Sequence, residues 1–175
     1  SYNTFTNTKI YDGEWLDNAW NGQGTEFFTN GGKSYQGQLR KGLKNGFGTS
    51  YSIDGTKLYE GNWKDDNYFG KGCYYNEHGN PNLFSNNKLG QKMYEGHCYN
   101  NLREGRGKSF YPTSQVDYDG SWVNNEFEGK GTKYELNGNV KYSGFWYKGQ
   151  ASGLGTEYRL DGSKQYHGGF KDGFA

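Results

Sequence analysis

Tyr11-Asp12-Gly13-Glu14-Trp15, then Asp17-Asn18, then Gly22-Gln23-Gly24 with Phe27 beyond it, is the stretch that decides the fold, because the chain repeats it. Tyr-x-Gly begins at Tyr11, Tyr35, Tyr59, Tyr94, Tyr118, Tyr142 and Tyr166, in steps of 24, 24, 35, 24, 24 and 24 residues. Gly-x-Gly follows the first six tyrosines at Gly22/Gly24, Gly46/Gly48, Gly70/Gly72, Gly105/Gly107, Gly129/Gly131 and Gly153/Gly155, and an aromatic follows each time at Phe27, Tyr51, Tyr75, Phe110, Tyr134 and Tyr158. A fixed period of this length marks a repeat architecture, in which one supersecondary unit stacks on its copies.

Two turn signals divide each unit. The first is Asp17-Asn18, Lys41-Gly42, Asp65-Asp66, Asn100-Asn101, Asn124-Asn125, Lys148-Gly149 and Asp172-Gly173, residues that tolerate the positive φ of tight hairpins. The second is Asn30-Gly31, Asp54-Gly55, His78-Gly79, Asn137-Gly138 and Asp161-Gly162, with Thr113-Ser114 as the exception. Two turns per unit predict two short antiparallel strands per unit. No segment has a helical period, and a glycine every few residues would cost a helix about 1 kcal/mol each.

If both turns are two-residue loops, Tyr11 faces Gly24, Gly13 faces Gly22 and Trp15 faces Trp20, while the second turn sets Gly24 against Gly37 and Gly22 against Leu39. The rings then lie over glycines, whose missing Cβ atoms make room for them. The expected fold is all-β: an elongated, twisted, single-layer antiparallel sheet of tandem hairpins. The opposite face is expected to carry Phe27, Tyr51 and Tyr134 with Thr25, Thr49, Thr132 and Thr156.

Composition agrees. The chain has 30 glycines, 17 tyrosines, 11 phenylalanines and 5 tryptophans but only 31% hydrophobic residues, and its mean hydropathy is −1.16. A thick aliphatic core cannot be filled, so aromatic rings must carry the packing. Twenty Lys and Arg against 19 Asp and Glu give a net charge of +1, which removes the electrostatic footprint of nucleic-acid binding. Two cysteines without a CxxC pattern and no glycosylation sequon point to an intracellular setting without structural metal or cofactor. The Gly-x-Gly copies lack the third glycine and the strand-to-helix context of nucleotide loops, so they are not nucleotide loops.

Tyr-x-Gly-x-Trp followed by Gly-x-Gly, as in Tyr11 to Trp15 and Gly22 to Gly24, resembles the membrane occupation and recognition nexus, or MORN, repeat over nearly the whole chain. The period of 24 residues and the Leu39 and Cys98 in two of the Trp slots depart from its commonest form. The resemblance implies a sheet used for protein–protein contacts in cytoskeletal, ciliary or membrane-associated assemblies, with no chemistry of its own. It also leaves open an anionic-phospholipid adaptor, or a regulatory segment of an enzyme whose catalytic domain lies outside these residues.

The expected organisation is a degenerate half-repeat or cap over residues 1–10, then one array over 11–175. Six full repeats begin at Tyr11, Tyr35, Tyr59, Tyr94, Tyr118 and Tyr142, and a partial one begins at Tyr166. The third repeat is lengthened by an insertion at about 80–90. The partial seventh motif and the missing initiating Met suggest a piece cut from a longer protein, and open sheet edges make a homodimer plausible. Candidate protein-contact residues are Trp15, Trp20, Trp63, Tyr68, Trp122, Phe127 and Trp146, with Leu83 and Phe84 in the insertion. Arg40, Lys41 and Lys44, and Arg103, Arg106 and Lys108, form two small basic clusters that are the candidate anion contacts for a weak anionic-lipid partner. No catalytic constellation is expected. The setting implied is cytoplasmic, cytoskeletal or membrane-associated.

Overall fold

A computed structural model describes residues 1–2, 8–75 and 90–175. They form one open antiparallel sheet in which thirteen strands follow one another in chain order. The hairpins are β1 (Tyr11–Leu16) with β2 (Ala19–Phe27), β3 (Lys33–Arg40) with β4 (Leu43–Tyr51), and β5 (Lys57–Lys64) with β6 (Asn67–Tyr75). They continue as β7 (Lys92–Tyr99) with β8 (Leu102–Phe110), β9 (Val116–Val123) with β10 (Glu126–Tyr134), and β11 (Val140–Tyr147) with β12 (Gln150–Tyr158), before the lone β13 (Lys164–Phe170). Strands make extensive contact only with their neighbours in sequence. No helix or second sheet covers this layer among the described residues. At about 4.8 Å per strand the sheet runs for roughly 60 Å.

The first turn of each hairpin has two residues at positive φ, as at Asp17 (49°) and Asn18 (60°) or Asn124 (50°) and Asn125 (70°), the geometry whose twist matches the flanking strands. The backbone N–H at the second turn position also reaches back to the preceding repeat: Asp66 donates to Lys44 O at 3.1 Å and Gly149 to Phe127 O at 3.0 Å. The second turn is longer than a two-residue loop. Gly31 N–H donates to Phe28 O and Phe28 N–H to Gly32 O, and a single glycine takes the left-handed conformation at φ 84°. Its register is the expected one, with Gly24 opposite Gly37 and Gly22 opposite Leu39.

The register across the first turn differs from expectation. Trp15 does face Trp20, but the pairing then slips by two residues, so that Gly13 faces Gly24 and Tyr11 faces Glu26. The cause is a bulge: Glu14 stands against Asn21, Gly22 and Gln23, and Gly22 has φ 71°. The first glycine of every Gly-x-Gly carries a positive φ, and the same slip recurs in each hairpin. An even shift preserves the face of every side chain. It also aligns a glycine on every strand, in the order Gly13, Gly24, Gly37, Gly48, Gly61, Gly72, Gly96, Gly107, Gly120, Gly131, Gly144, Gly155 and Gly168.

Across this glycine ladder lie the motif tyrosines. Tyr11, Tyr35, Tyr59, Tyr94 and Tyr118 are buried to 1% exposure or less. Each ring occupies the space that Cβ atoms on the two nearest ladder glycines would fill. The bulge leaves the residue after the motif glycine without a partner in the hairpin at Gln38, Asn62 and His97, and the tyrosine hydroxyl donates to its carbonyl: Tyr35 to Gln38 O at 2.8 Å, Tyr59 to Asn62 O at 2.9 Å, Tyr94 to His97 O at 2.8 Å. Burial pushes these phenols above their ordinary pKa, which keeps the O–H donors in place. Tyr59→Phe leaves the packing intact and orphans one carbonyl; it is expected to cost about 1–2 kcal/mol, measured as a lower urea midpoint at unchanged m-value.

Candidate functional site

The sheet has two unlike faces. On the tyrosine face, the slot four residues after each motif tyrosine wedges between two of the tyrosines. Trp63 meets Tyr35 and Tyr59 edge-on at ring-centroid distances of 5.3 and 5.2 Å, and Trp122 meets Tyr94 and Tyr118 at 5.3 Å each. Their indole N–H groups donate to the preceding repeat, Trp63 to Gly48 O and Trp122 to Gly107 O, both at 3.0 Å, and Trp146 repeats the bond to Gly131 O at 3.1 Å. Each tryptophan therefore pins one repeat to the one before it. Leu39, Cys98 and Phe170 fill the same slot elsewhere and are buried.

A second slot, nine residues after each motif tyrosine, lies over the ring of its own repeat. Trp20 stacks on Tyr11, Tyr68 on Tyr59 and Phe127 on Tyr118, with interplanar angles of 9°, 14° and 12°. In the second and fourth repeats a cation replaces the ring. Lys44 sits 5.3 Å from the Tyr35 and Trp63 ring centres, and the Arg103 guanidinium lies 4.4 Å over Trp122 and 5.7 Å from Tyr94. These are cation–π contacts on a half-buried surface. Ala151 leaves the slot short in the sixth repeat.

Over repeats three to five this face opens into a groove of about 700 Å³, with Tyr74, Met93, Arg103, Trp122 and Phe127 among its walls. A smaller depression of about 440 Å³ follows over the earlier repeats, lined by Lys44, Trp63 and Tyr68 among others, and Asn101 borders both. The opposite face carries a cross-strand row of mostly polar residues, whose central members are Thr49, Glu60, Cys73, Glu95, Lys108 and Asp119. Phe47 and Phe145 stand exposed on it. Tyr75 reaches Glu60 on that face at 3.1 Å.

The candidate contact residues divide accordingly. Trp20, Tyr68, Phe127 and Trp146 are half-buried on the tyrosine face and Trp15 is 51% exposed, whereas Trp63 and Trp122 are 5% and 2% exposed and spend their surface inside the array. Leu83 and Phe84 lie outside the described residues. The basic residues do not gather into clusters. Lys44 and Arg103 belong to the tyrosine face, Lys44 paired with Glu26 at 3.7 Å. Arg106 and Lys108 point the other way and share Asp119 at 3.7 and 3.1 Å, and exposed Arg40 reaches Asp65 at 3.7 Å beside the turn residue Lys41. In the fourth repeat the reason is strand alternation, since residues separated by an odd number face opposite sides, and in the second Arg40 pairs across the turn with Leu43, which leaves Lys44 on the other side. Tyr74 and Met93 did not stand out in the sequence, although lining up the repeats makes Tyr74 conspicuous. Its slot holds Glu26, Ser50, Ser109, Lys133 and Glu157 in the other repeats.

Burial pushes the Cys73 and Cys98 thiols above their ordinary pKa, the reverse of what a nucleophilic cysteine needs. Among the described residues no group of three His, Cys, Asp or Glu side chains is placed to hold a metal ion, and no helix is long and apolar enough to cross a membrane. The family model described as MORN repeat matches the chain six times, at residues 11–33, 35–57, 59–77, 94–116, 118–135 and 142–164. A search of curated proteins returned no match.

Proposed function

The chain belongs to the MORN repeat family, and from that premise we propose that it is a non-catalytic interaction scaffold that binds a protein partner on its tyrosine face. The supporting observation is the groove of about 700 Å³ over repeats three to five. It is walled by aromatic residues, Met93 and an arginine, the types that dominate interface hot spots, and no second layer fills it among the described residues. The setting the family implies is a cytoskeletal, ciliary or membrane-associated assembly.

Met93→Lys in the groove and Phe47→Glu on the other face form the test pair. Proteins retained by the immobilised wild-type array are expected to be lost with Met93→Lys and kept with Phe47→Glu, while both variants keep the circular dichroism of the parent. The opposite pattern would move the contact to the polar face. An anionic-lipid role finds less support, because the basic residues are divided between faces and several already have carboxylate partners. The array is expected to stay in the supernatant when phosphatidylserine vesicles are sedimented at physiological salt.

A further inference from the structure

Repeats two and four pose the same electrostatic problem and solve it differently. Lys44 and Arg103 occupy equivalent slots, each lying against its own repeat's tyrosine and the next repeat's tryptophan. Lys44 has a counter-charge: Glu26, the cross-strand neighbour of Tyr35, stands 3.7 Å away. The position equivalent to Glu26 beside Tyr94 is Tyr74. A third cation of this face, Lys133, pairs with Asp117 at 2.6 Å. Arg103 alone of the three has no carboxylate within 4 Å among the described residues. Its Nε meets Asn125 Oδ1 at 3.3 Å, which orients the planar group, and its terminal nitrogens have no hydrogen-bond partner among the described residues. Asp117 also lines the groove but is held by Lys133 and by the Ser109 hydroxyl at 3.0 Å.

A half-buried guanidinium with free donors favours a planar carboxylate, which it grips through two hydrogen bonds. Beside it the walls are apolar: Tyr74, Met93 and Phe127. Accepting that the tyrosine face is the protein-binding face, we infer that the groove over repeats three to five selects a partner segment carrying an Asp or Glu next to a large apolar residue. The carboxylate takes the place at Arg103 that Glu26 holds at Lys44. The apolar side chain enters between Tyr74 and Phe127.

Selection of short random peptides, displayed with both ends blocked, on the immobilised wild-type and Arg103→Glu arrays tests this. Wild type should enrich Asp or Glu beside Leu, Phe or Trp, and Arg103→Glu should enrich Lys or Arg at that place instead. A selected acidic peptide, made as the amide, should bind Arg103→Gln at least about tenfold more weakly than wild type, the loss expected for one charge-assisted contact. Tyr74→Glu, which copies the Glu26 arrangement, should weaken it comparably by occupying Arg103 from within, and this variant serves if Arg103→Gln fails to fold. Peptides that lose binding in Met93→Lys but show no acidic bias and ignore Arg103 would overturn the inference and leave the protein-binding face standing. Binding indifferent to both Met93→Lys and Arg103→Gln would overturn both. Displacement of the peptide by phosphatidylserine vesicles that pellet wild type but not Arg103→Gln would assign Arg103 to a lipid headgroup instead.

Discussion

Gly61→Ala is expected to abolish cooperative folding of the centre of the array, although it adds a single methyl group. The new Cβ would stand 2.5 Å from Gly72 Cα, 2.6 Å from Lys71 O and 2.6 Å from the Tyr59 hydroxyl. Two of those three atoms are backbone of the neighbouring strand, so relief requires the strands to part or the Tyr59 ring to leave. Either route breaks the Tyr59–Asn62 bond and uncovers a ring that is now fully buried. Overpacking in a close-packed site costs roughly 1–3 kcal/mol, occasionally more, and the loss of the ring's burial adds to it. A total of about 4 kcal/mol or more is expected from the two terms together. Gly55→Ala is the control: it has nothing within 4 Å and pays only for φ 88° in the second turn, a strain of about 1–2 kcal/mol. Urea unfolding followed by tyrosine fluorescence separates the two; equal destabilisation would show that backbone freedom, not steric room, accounts for Gly61.

Trp122→Ala should cost nearly as much, roughly 3–5 kcal/mol. The indole is 2% exposed, donates to Gly107 O, and wedges between Tyr94 and Tyr118. Its loss also strips the surface against which Arg103 lies. Because stability in a repeat array is carried by interfaces between neighbours, the defect should uncouple repeats one to four from those that follow. Two transitions are expected in thermal unfolding where wild type gives one. Trp15→Ala is the comparison: that ring is half exposed and its ring contacts among the described residues are edge-on ones with Tyr11 and Trp20, so a change of about 1 kcal/mol is expected. Equal effects at the two positions would show that the tryptophans do not staple repeats. The same geometry makes Trp122 a poor probe of partner binding, since its removal disturbs the array itself.

The repeat made most of the fold legible. Seven Tyr-x-Gly copies and paired turn signals led to two antiparallel strands per repeat, about fourteen in all where thirteen are described, and to the face of the motif glycines, because antiparallel pairing follows from turn position. The two-residue slip was not legible as a register, but it had a signal: Gly22 and its five equivalents need positive φ, and an invariant glycine inside a strand marks a bulge. Aromatic content showed that rings carry the packing, yet not which rings stay available. Trp63 and Trp122 became interior because each has a tyrosine on both sides and long side chains over it, Tyr68 and Lys44 or Phe127 and Arg103, whereas Trp146 has two tyrosines but the short Ala151 in its own repeat, and Trp15 has no tyrosine of a preceding repeat among the described residues. Sequence proximity suggested that Arg103, Arg106 and Lys108 act together; alternation separates them. The special position of Arg103 depends on a residue 29 positions earlier, Tyr74, and only the cross-strand register makes them neighbours of the same ring.

The stability and binding arguments share one premise, that tyrosine rings lie flat across a ladder of glycines in a single open sheet. Proton NMR of the assigned array reads this directly. One Hα of each of Gly48, Gly72, Gly107 and Gly131 should be shifted upfield by the ring above it and should show a cross-relaxation contact to the ring protons of Tyr35, Tyr59, Tyr94 and Tyr118 respectively. Gly55, Gly138 and Gly162 in the turns should show neither. Ladder glycines that resonate with the turn glycines and lack contacts to the rings would contradict it.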